Sequence, residues 1–377
     1  MKMGINLLWY FPSFELGGSY PGGFRTLAIA RALIRNGVSH ISIASITLKE
    51  SSKLSDNIDL VALPRNPFLV WKNLKNLVAS EQINIVQERL GCGILWNDWG
   101  LFVGRKFSIP TICELHEYPT RFDDKLFQYF SLRYALRNCD RFLIINPIIA
   151  QHIPINKNEI NKIVVMPNGY DASLASKSTL HKCEFINKSF FEKRKVIGYF
   201  GALTKDKGVD VLLDLICSLE IQPLFFIIAG HGPLESKVRA VQSRFPERIR
   251  FLGKIPQKNV YALMSICDAT LALNPPEIRA GCPQFVNPLK VYESLAVGTS
   301  VVISKMVKKA LPSVIVDMCT VSKLTSSDIL QALEVVCDKD YGRPSEKCKE
   351  IDNYSWDSIT RHFLIPLYQA CIKQGHY

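Results

Sequence analysis

Four signals in fixed order run from residue 196 to residue 303, and each sets an apolar, strand-like run against a glycine turn or a helix start. They read VIGYFGALTKDKGVDVLL, FFIIAGHGPLESKV, IRFLGKIPQKNVYALMSICDATLAL and NPLKVYESLAVGTSVVIS. Runs this continuously apolar suit strands covered on both faces, and the helix-period stretches between them supply the cover. Such a pattern leaves few choices other than a parallel sheet wrapped by helices.

The first half of the chain alternates in the same way. Strands are expected at 4–10, 41–44, 83–87, 111–115, 141–145 and 163–166, with a helix over 23–36. Residues 171–195 hold DASLASKSTLHK and the charge run EKRK, follow neither period, and read as a linker. A chain of 377 residues is also long for one core, since single cores stop growing at roughly 250 residues. Two Rossmann-like doubly wound α/β domains facing a central cleft are expected.

The turns carry the chemistry. Run 196–200 stops at Gly201, and a basic loop with Lys205 and Lys207 passes through Gly208 into an amphipathic helix. A helix N-terminus with unpaired N–H groups beside an ammonium is an anion site. Run 225–229 breaks at Gly230-His231-Gly232-Pro233, where small residues let backbone approach a ligand. Glu293 falls inside a helix that begins near Pro288 and ends at Gly298, and its carboxylate can accept two hydroxyl hydrogen bonds, as a ribose diol requires.

Together these motifs resemble the C-terminal half of a GT-B glycosyltransferase of the retaining family 4 type, the glycosyl transferases group 1 domain. Lys207-Gly208 matches the family's basic turn, Gly230-His231-Gly232-Pro233 its G-x-G-P turn, Phe251-Leu252-Gly253 its strand–glycine step, and Glu293 the second Glu of E-x7-E. Asn287-Pro288-Leu289-Lys290-Val291-Tyr292-Glu293-Ser294-Leu295-Ala296-Val297-Gly298 is most similar to the branch reading S-P-L-K-x-x-E-Y-x-A-x-G. Two departures are plain: Phe285 stands where the first motif Glu would, and Ala202 where an Arg precedes the turn lysine. Glu277 or Gln284 are the nearby candidates for the missing acceptor.

The resemblance implies a domain plan: an acceptor-side domain over 1–172, a linker over 173–194, a nucleotide-sugar-binding domain over 195–352, and a helix over 353–377 that crosses back to the first domain, kinked at Pro366. It also implies a reaction. A sugar passes from a nucleotide-diphosphate sugar, UDP- or GDP-linked, to a hydroxyl of a glycan or lipid-linked glycan, with retention, as in polysaccharide biosynthesis. Lys207, Glu293 and His116 are the implied catalytic residues. Gly22, Gly23, Gly201, Gly230, Gly232, Asn287, Pro288 and Leu289 join Lys207 and Glu293 around the donor. No cofactor and no metal are implied. Asp338-Lys339-Asp340 resembles a metal-binding D-x-D but follows a helix rather than a strand. A non-catalytic subunit that binds a nucleotide sugar or glycan is the alternative that Ala202 and Phe285 motivate.

Within the first half, the loop ELGGSYPGG precedes a helix starting around Phe24, and Gly22-Gly23 is the better match to the family's diphosphate-facing turn, with Gly17-Gly18 as competitor. His116 follows strand 111–115 at the carboxyl end of a sheet, where open α/β sheets bind ligands. Glu114 should be partnered within the fold and Glu117 the freer carboxylate. Val164-Val165-Met166-Pro167-Asn168-Gly169-Tyr170-Asp171 matches the family's V-x-P-N-G-x-D hinge and reads as structural.

A formal net charge of +12 calls for an anionic partner. No zinc-finger spacing, RNA-binding aromatic signature or basic recognition helix points to nucleic acid, whereas sugar nucleotides and an anionic membrane face fit. Two stretches mix aromatic and basic residues as a membrane-surface helix does: 68–77, and 121–141 with Phe127, Tyr129, Phe130, Tyr134, Arg133 and Arg137. No run approaches the ~18 apolar residues of a membrane span, so a cytoplasmic protein, peripheral at most, is expected. The 11 Cys stand singly without C-x-x-C, which disfavours disulfides and thiolate zinc; Cys217, Cys267 and Cys337 read as core fillers.

Overall fold

The computed structural model describes residues 4–12, 21–90, 98–116, 125–176, 194–219, 223–279, 282–283, 287–338 and 349–374. The chain divides into two compact units, Met1–Pro167 with Trp356–Tyr377, and Asn168–Ser355.

The first unit is built on an 8-stranded sheet. Its strands are β1 (Asn6–Tyr10), β2 (His40–Ser45), β3 (Ser52–Ser55), β4 (Ile58–Ala62), β5 (Ile85–Arg89), β6 (Thr111–Leu115), β7 (Arg141–Ile144) and β8 (Ile163–Val165). They run in the order β3-β4-β2-β1-β5-β6-β7-β8, and all pair in parallel except the β3–β4 edge. The order reverses between β1 and β5, the kind of switch point where such sheets open a crevice for ligands. β1 buries Leu7, Leu8, Trp9 and Tyr10 in succession because helices cover both sheet faces.

The helix after β1 spans Pro21–Arg35, not the expected 23–36. Pro21 suits the first helical position, where a missing N–H costs nothing. Gly22 and Gly23 thus belong to the first helical turn instead of a preceding loop. The final segment runs through helix Trp356–Ile359, a π-helical turn at Thr360–Leu364, and helix Ile365–Gln374. The widened turn sits just before Pro366, where the proline ring and its missing N–H exclude regular α-helical bonding. This segment packs on helix Pro21–Arg35: Arg35 grips Asp357 through two bonds of 2.7 Å, and Asn36 donates to Thr360 at 2.9 Å.

The second unit holds a 6-stranded parallel sheet. Its strands are β9 (Lys195–Phe200), β10 (Leu224–Ala229), β11 (Ile249–Phe251), β12 (Ala269–Ala272), β15 (Ser300–Ser304) and β16 (Cys319–Ser322), in the order β11-β10-β9-β12-β15-β16. The switch point here lies between β9 and β12. A small antiparallel ribbon, β13 (Glu277–Arg279) with β14 (Cys282–Pro283), stands beside the Lys205–Lys207 turn. The core on one face joins Ile197, Tyr199, Leu212, Ile216, Phe226, Ile228 and Leu333. Cys267 and Cys337 are buried as expected, but Cys217 is exposed, because it follows Ile216 on the outward side of helix Val209–Ser218.

Candidate active site

In the second unit the expected donor residues gather at the carboxyl edge of the sheet. β9 ends at Gly201, and the 3-10 turn Lys205–Lys207 closes on Gly208, whose φ of 76° is left-handed. A Cβ there would meet the Leu273 carbonyl at 2.1 Å, so the turn after β9 can lie against the end of β12 only with glycine. Asn274 braces the same junction, donating to the Asp206 carbonyl at 3.0 Å.

Gly201 and Gly230 serve packing more than ligand donation. The Gly201 N–H donates to the Ala229 carbonyl at 3.0 Å and the Gly230 N–H to the Gly253 carbonyl at 2.9 Å. A Cβ on Gly230 would come to 1.8 Å of the Gly201 carbonyl, and one on Gly232 to 2.6 Å of the Leu203 carbonyl. The two glycine turns are therefore pressed backbone to backbone, and their small size is spent on each other.

Lys207 pairs with Asp206 at 3.0 Å. Burial pushes the Asp206 carboxyl up, but Lys207 and the Thr204 hydroxyl outweigh that and hold it below the usual range. Tyr199 fastens the turn from below, its hydroxyl donating to the carbonyls of Ala202 and Lys207 at 2.9 and 3.3 Å.

Pro288 caps helix Leu289–Ala296, and Glu293 sits in its second turn, buried. Glu293 Oε1 accepts from Gln257 Nε2 at 2.8 Å, and the Tyr261 hydroxyl also bonds this carboxyl. Burial pushes Glu293 up to about 7 against the pull of Lys290, Tyr261 and Gln257. Asn287 is buried, and its carbonyl accepts from Asn168 Nδ2. The hinge-like segment thus anchors the helix start, while Asp171 caps helix Ala172–Ala175 and donates its own N–H to Tyr261 at 3.0 Å.

Sequence reasoning missed Lys290 as a functional group. Its ammonium is buried, makes no hydrogen bond among the described residues, and lies 3.8 Å from the centroid of the Tyr199 ring. An ideal Cβ on Gly201 would stand 3.3 Å from Nζ, which places the ammonium under the β9 turn. Burial, then repulsion from Lys207, push Lys290 down to about 7, against attraction from Glu293 and Asp206. The residue was visible within the motif, but nothing in helical spacing says that it folds beneath Gly201. Phe285 and Gln284 lie outside the described residues, as do Gly17-Gly18, Glu117 and residues 339–348, which include Lys339 and Asp340 of the D-x-D-like run.

In the first unit His116 ends β6 and is buried. Its Nε2 contacts Glu114 Oε1, the oxygen that also takes the Arg25 guanidinium at 2.5 Å. Burial, then Arg89, push His116 down to about 3, so the ring is neutral near pH 7. Burial pushes Glu114 up, but Arg25, His116 and Arg89 together hold it well below the usual carboxylate range. Nε2 also lies 3.0 Å from the Arg25 guanidinium, which can only donate, while the ionised Glu114 carboxylate can only accept, so Nε2 has a partner in either tautomer. Gln87 donates to Glu114 Oε2 at 2.9 Å and accepts from the Tyr368 hydroxyl at 2.5 Å, extending the chain of bonds into the last helix. Arg25 also stacks 5.3 Å above the Trp356 ring.

Beside this network lies a buried acid pair that the sequence did not announce. Glu88 accepts from the Leu101 N–H and Asp98 from the Ser131 hydroxyl, each at 2.5 Å. Burial pushes Asp98 up to about 7; burial and then Asp98 push Glu88 well above its ordinary value. Among the described residues one trio has metal-ligand spacing, His40, Asp59 and Glu81. Its His40 opens β2, at the sheet edge opposite His116, and His40 lies 3.4 Å from Asp59 and 3.2 Å from Glu81 as in an ordinary ion-pair cluster.

Comparison with known proteins agrees with this fold. Residues 182–319 match the family described as glycosyl transferases group 1. The fold is similar over nearly the whole chain to a glycosyltransferase from Rickettsia africae (TM-score 0.68, 15% identity, covering 98% of this chain and 99% of that one). It is also similar to HepE of Anabaena solved with UDP (TM-score 0.63, 15% identity, 98% and 99% covered). A UDP-forming trehalose-phosphate synthase from Burkholderia vietnamiensis gives a TM-score of 0.69 at 10% identity, with 100% and 99% covered. No curated protein matches the sequence.

Proposed function

We propose, from the premise that this chain is a glycosyltransferase with a glycosyl transferases group 1 domain on a GT-B fold, that it uses a UDP-sugar and passes the sugar with retention to a glycan or lipid-linked glycan. One observation carries the donor reading. Two lysines, Lys207 and Lys290, and a buried carboxylate, Glu293, converge at the carboxyl edge of β9 beside two helix starts. The lysines and the helix N-termini suit a diphosphate, and the carboxylate suits a ribose diol.

UDP is favoured among bases because HepE was solved with UDP and UDP-glucose. As the sugar leaves, negative charge grows on the diphosphate, and fixed dipoles and ammonium groups stabilise it there most. Lys207, the start of helix Val209–Ser218 and the start of helix Leu289–Ala296 supply that field, with Gly22 and Gly23 assigned the same task in the first unit. His116, neutral and held by Glu114 and Arg25, is assigned to the acceptor side, where Nδ1 can hydrogen-bond a sugar hydroxyl.

An acceptor carried at an anionic membrane face, as in surface polysaccharide assembly, and a cytoplasmic site of action complete the reading. Phe68 is 83% exposed and Leu69 lies beside it, flanked by exposed Lys72 and Lys75; Tyr129 and Phe130 form a second exposed aromatic pair. Arg133 is spent on Glu159 and cannot serve a lipid headgroup. No described helix is long and apolar enough to cross a membrane.

The test is nucleoside diphosphate release from a panel of UDP-, GDP- and ADP-sugars, with and without lipid-linked acceptors. Release from UDP-sugars supports the reading. Tight binding without release under every acceptor would favour the non-catalytic alternative.

A further inference from the structure

We propose that Lys290 is a binding residue for the terminal phosphate of the nucleoside diphosphate. This rests on the donor reading above and assigns the principal cation within it.

Lys290 Nζ is buried, lacks a hydrogen-bond partner among the described residues and faces Tyr199, whose ring offers a cation–π contact but accepts no proton bond of the usual strength. Lys207 repels it from the turn above. Asp206 on that turn is engaged by Lys207, and Glu293 on its own helix is engaged by Gln257 and Tyr261. A dry, unsatisfied ammonium repelled by a second one keeps its charge poorly unless an anion joins them. A terminal phosphate over the Gly201 turn would accept from both.

A chemical signature follows. Without ligand, Lys290 is held near neutrality by burial and by Lys207. A phosphate dianion beside it favours the charged amine, so binding draws a proton from solvent onto Nζ. Ala202 offers no side-chain cation at the start of this turn.

The experiment is calorimetric titration of the full chain with UDP and with uridine at pH 8, in buffers of differing ionisation heat. At that pH Glu293 is already largely ionised, and the uridine arm reports its residual proton change. Wild type should take up most of one proton with UDP and little with uridine. Lys290→Met, which keeps the buried stem without the charge, should weaken UDP by about tenfold to a hundredfold, the range for losing a hydrogen bond to a charged group, and abolish the uptake. Uridine affinity should not change, which certifies the fold. Lys207→Met should weaken UDP while the uptake persists. If Lys290→Met binds UDP as wild type does with the same uptake, Lys290 is not the phosphate ligand although the donor reading stands. If wild type binds neither UDP, GDP nor ADP, the donor reading falls and this assignment with it.

Discussion

Lys290 and Glu293 stand one helical turn apart on helix Leu289–Ala296, both buried, and burial drives their acidities toward each other: the ammonium down to about 7 and the carboxyl up to about 7. Each stabilises the charged form of the other, and both change protonation near neutral pH.

The donor should therefore be used best in a narrow pH band. Glu293 must be ionised to accept ribose hydroxyls, and Lys290 must be protonated to hold phosphate. The kcat/KM profile for the sugar nucleotide should be bell-shaped and centred near pH 7. Glu293→Gln should remove the acidic limb and raise donor KM by about tenfold or more, the scale of a lost charged hydrogen bond, with little change in Tm. A variant that unfolds, or keeps both limbs, would count against a ribose role.

Lys207→Ala should lower turnover by about tenfold to a hundredfold, below the full effect of losing a sole transition-state donor, because Lys290 shares the field. Steady-state rates at saturating donor measure it. Activity within threefold of wild type would remove Lys207 from the site.

Stability should fall as pH rises through the window of the buried acid pair. Asp98 is raised from its ordinary 3.8 to about 7, so the native state holds a proton that the unfolded chain releases near pH 4. That contribution is intact below the unfolded value and is lost progressively up to pH 7, with a steepest slope of about 1.4 kcal/mol per pH unit for one proton. Asp98→Asn keeps an acceptor for Ser131 and should flatten this decline in urea titrations between pH 5 and 8. An equally steep decline in the variant would show that Asp98 is not the source.

Gly230→Ala should cost at least about 2 kcal/mol, because a methyl cannot occupy the space of the Gly201 carbonyl without parting the two turns. Gly253→Ala, where a Cβ would meet nothing within 4 Å, should cost less. Comparing their urea midpoints separates crowding from backbone strain, since Gly253 has a φ of 65°.

Sedimentation with vesicles should carry the protein down with anionic but not neutral lipid, fading with salt. Phe68→Ser with Lys72→Glu should weaken this, since Phe68 is the most exposed aromatic side chain among the described residues. A wild-type protein that stays in the supernatant at low salt would point to a soluble acceptor.

The alternation of strands and helices was legible because each strand is apolar on both faces, and strand 111–115 was placed to the residue. β3 and β4 escaped notice: β3 is an exposed antiparallel edge with little apolar signal. β5 extends over Glu88 and Arg89, charges that ordinarily mark a strand's end but are buried here by partners distant in sequence. The same cause hid Lys290. Motif residues announce themselves locally, whereas the burial of a charge depends on contacts made only after the chain has folded. The glycines show the converse: their positions were evident, but not that Gly201 and Gly230 spend their N–H groups on neighbouring carbonyls.

The discontinuity of the first unit bears on how the chain is made. Its sheet is translated before the second unit, but Trp356 under Arg25, Asp357 against Arg35 and Tyr368 behind Gln87 are translated after it. The second unit is contiguous, so it can reach its native state while the earlier one still waits for its closing helix, reversing the usual vectorial order in which the leading domain finishes first. During that wait the buried polar cluster around Glu114 lacks its final lid.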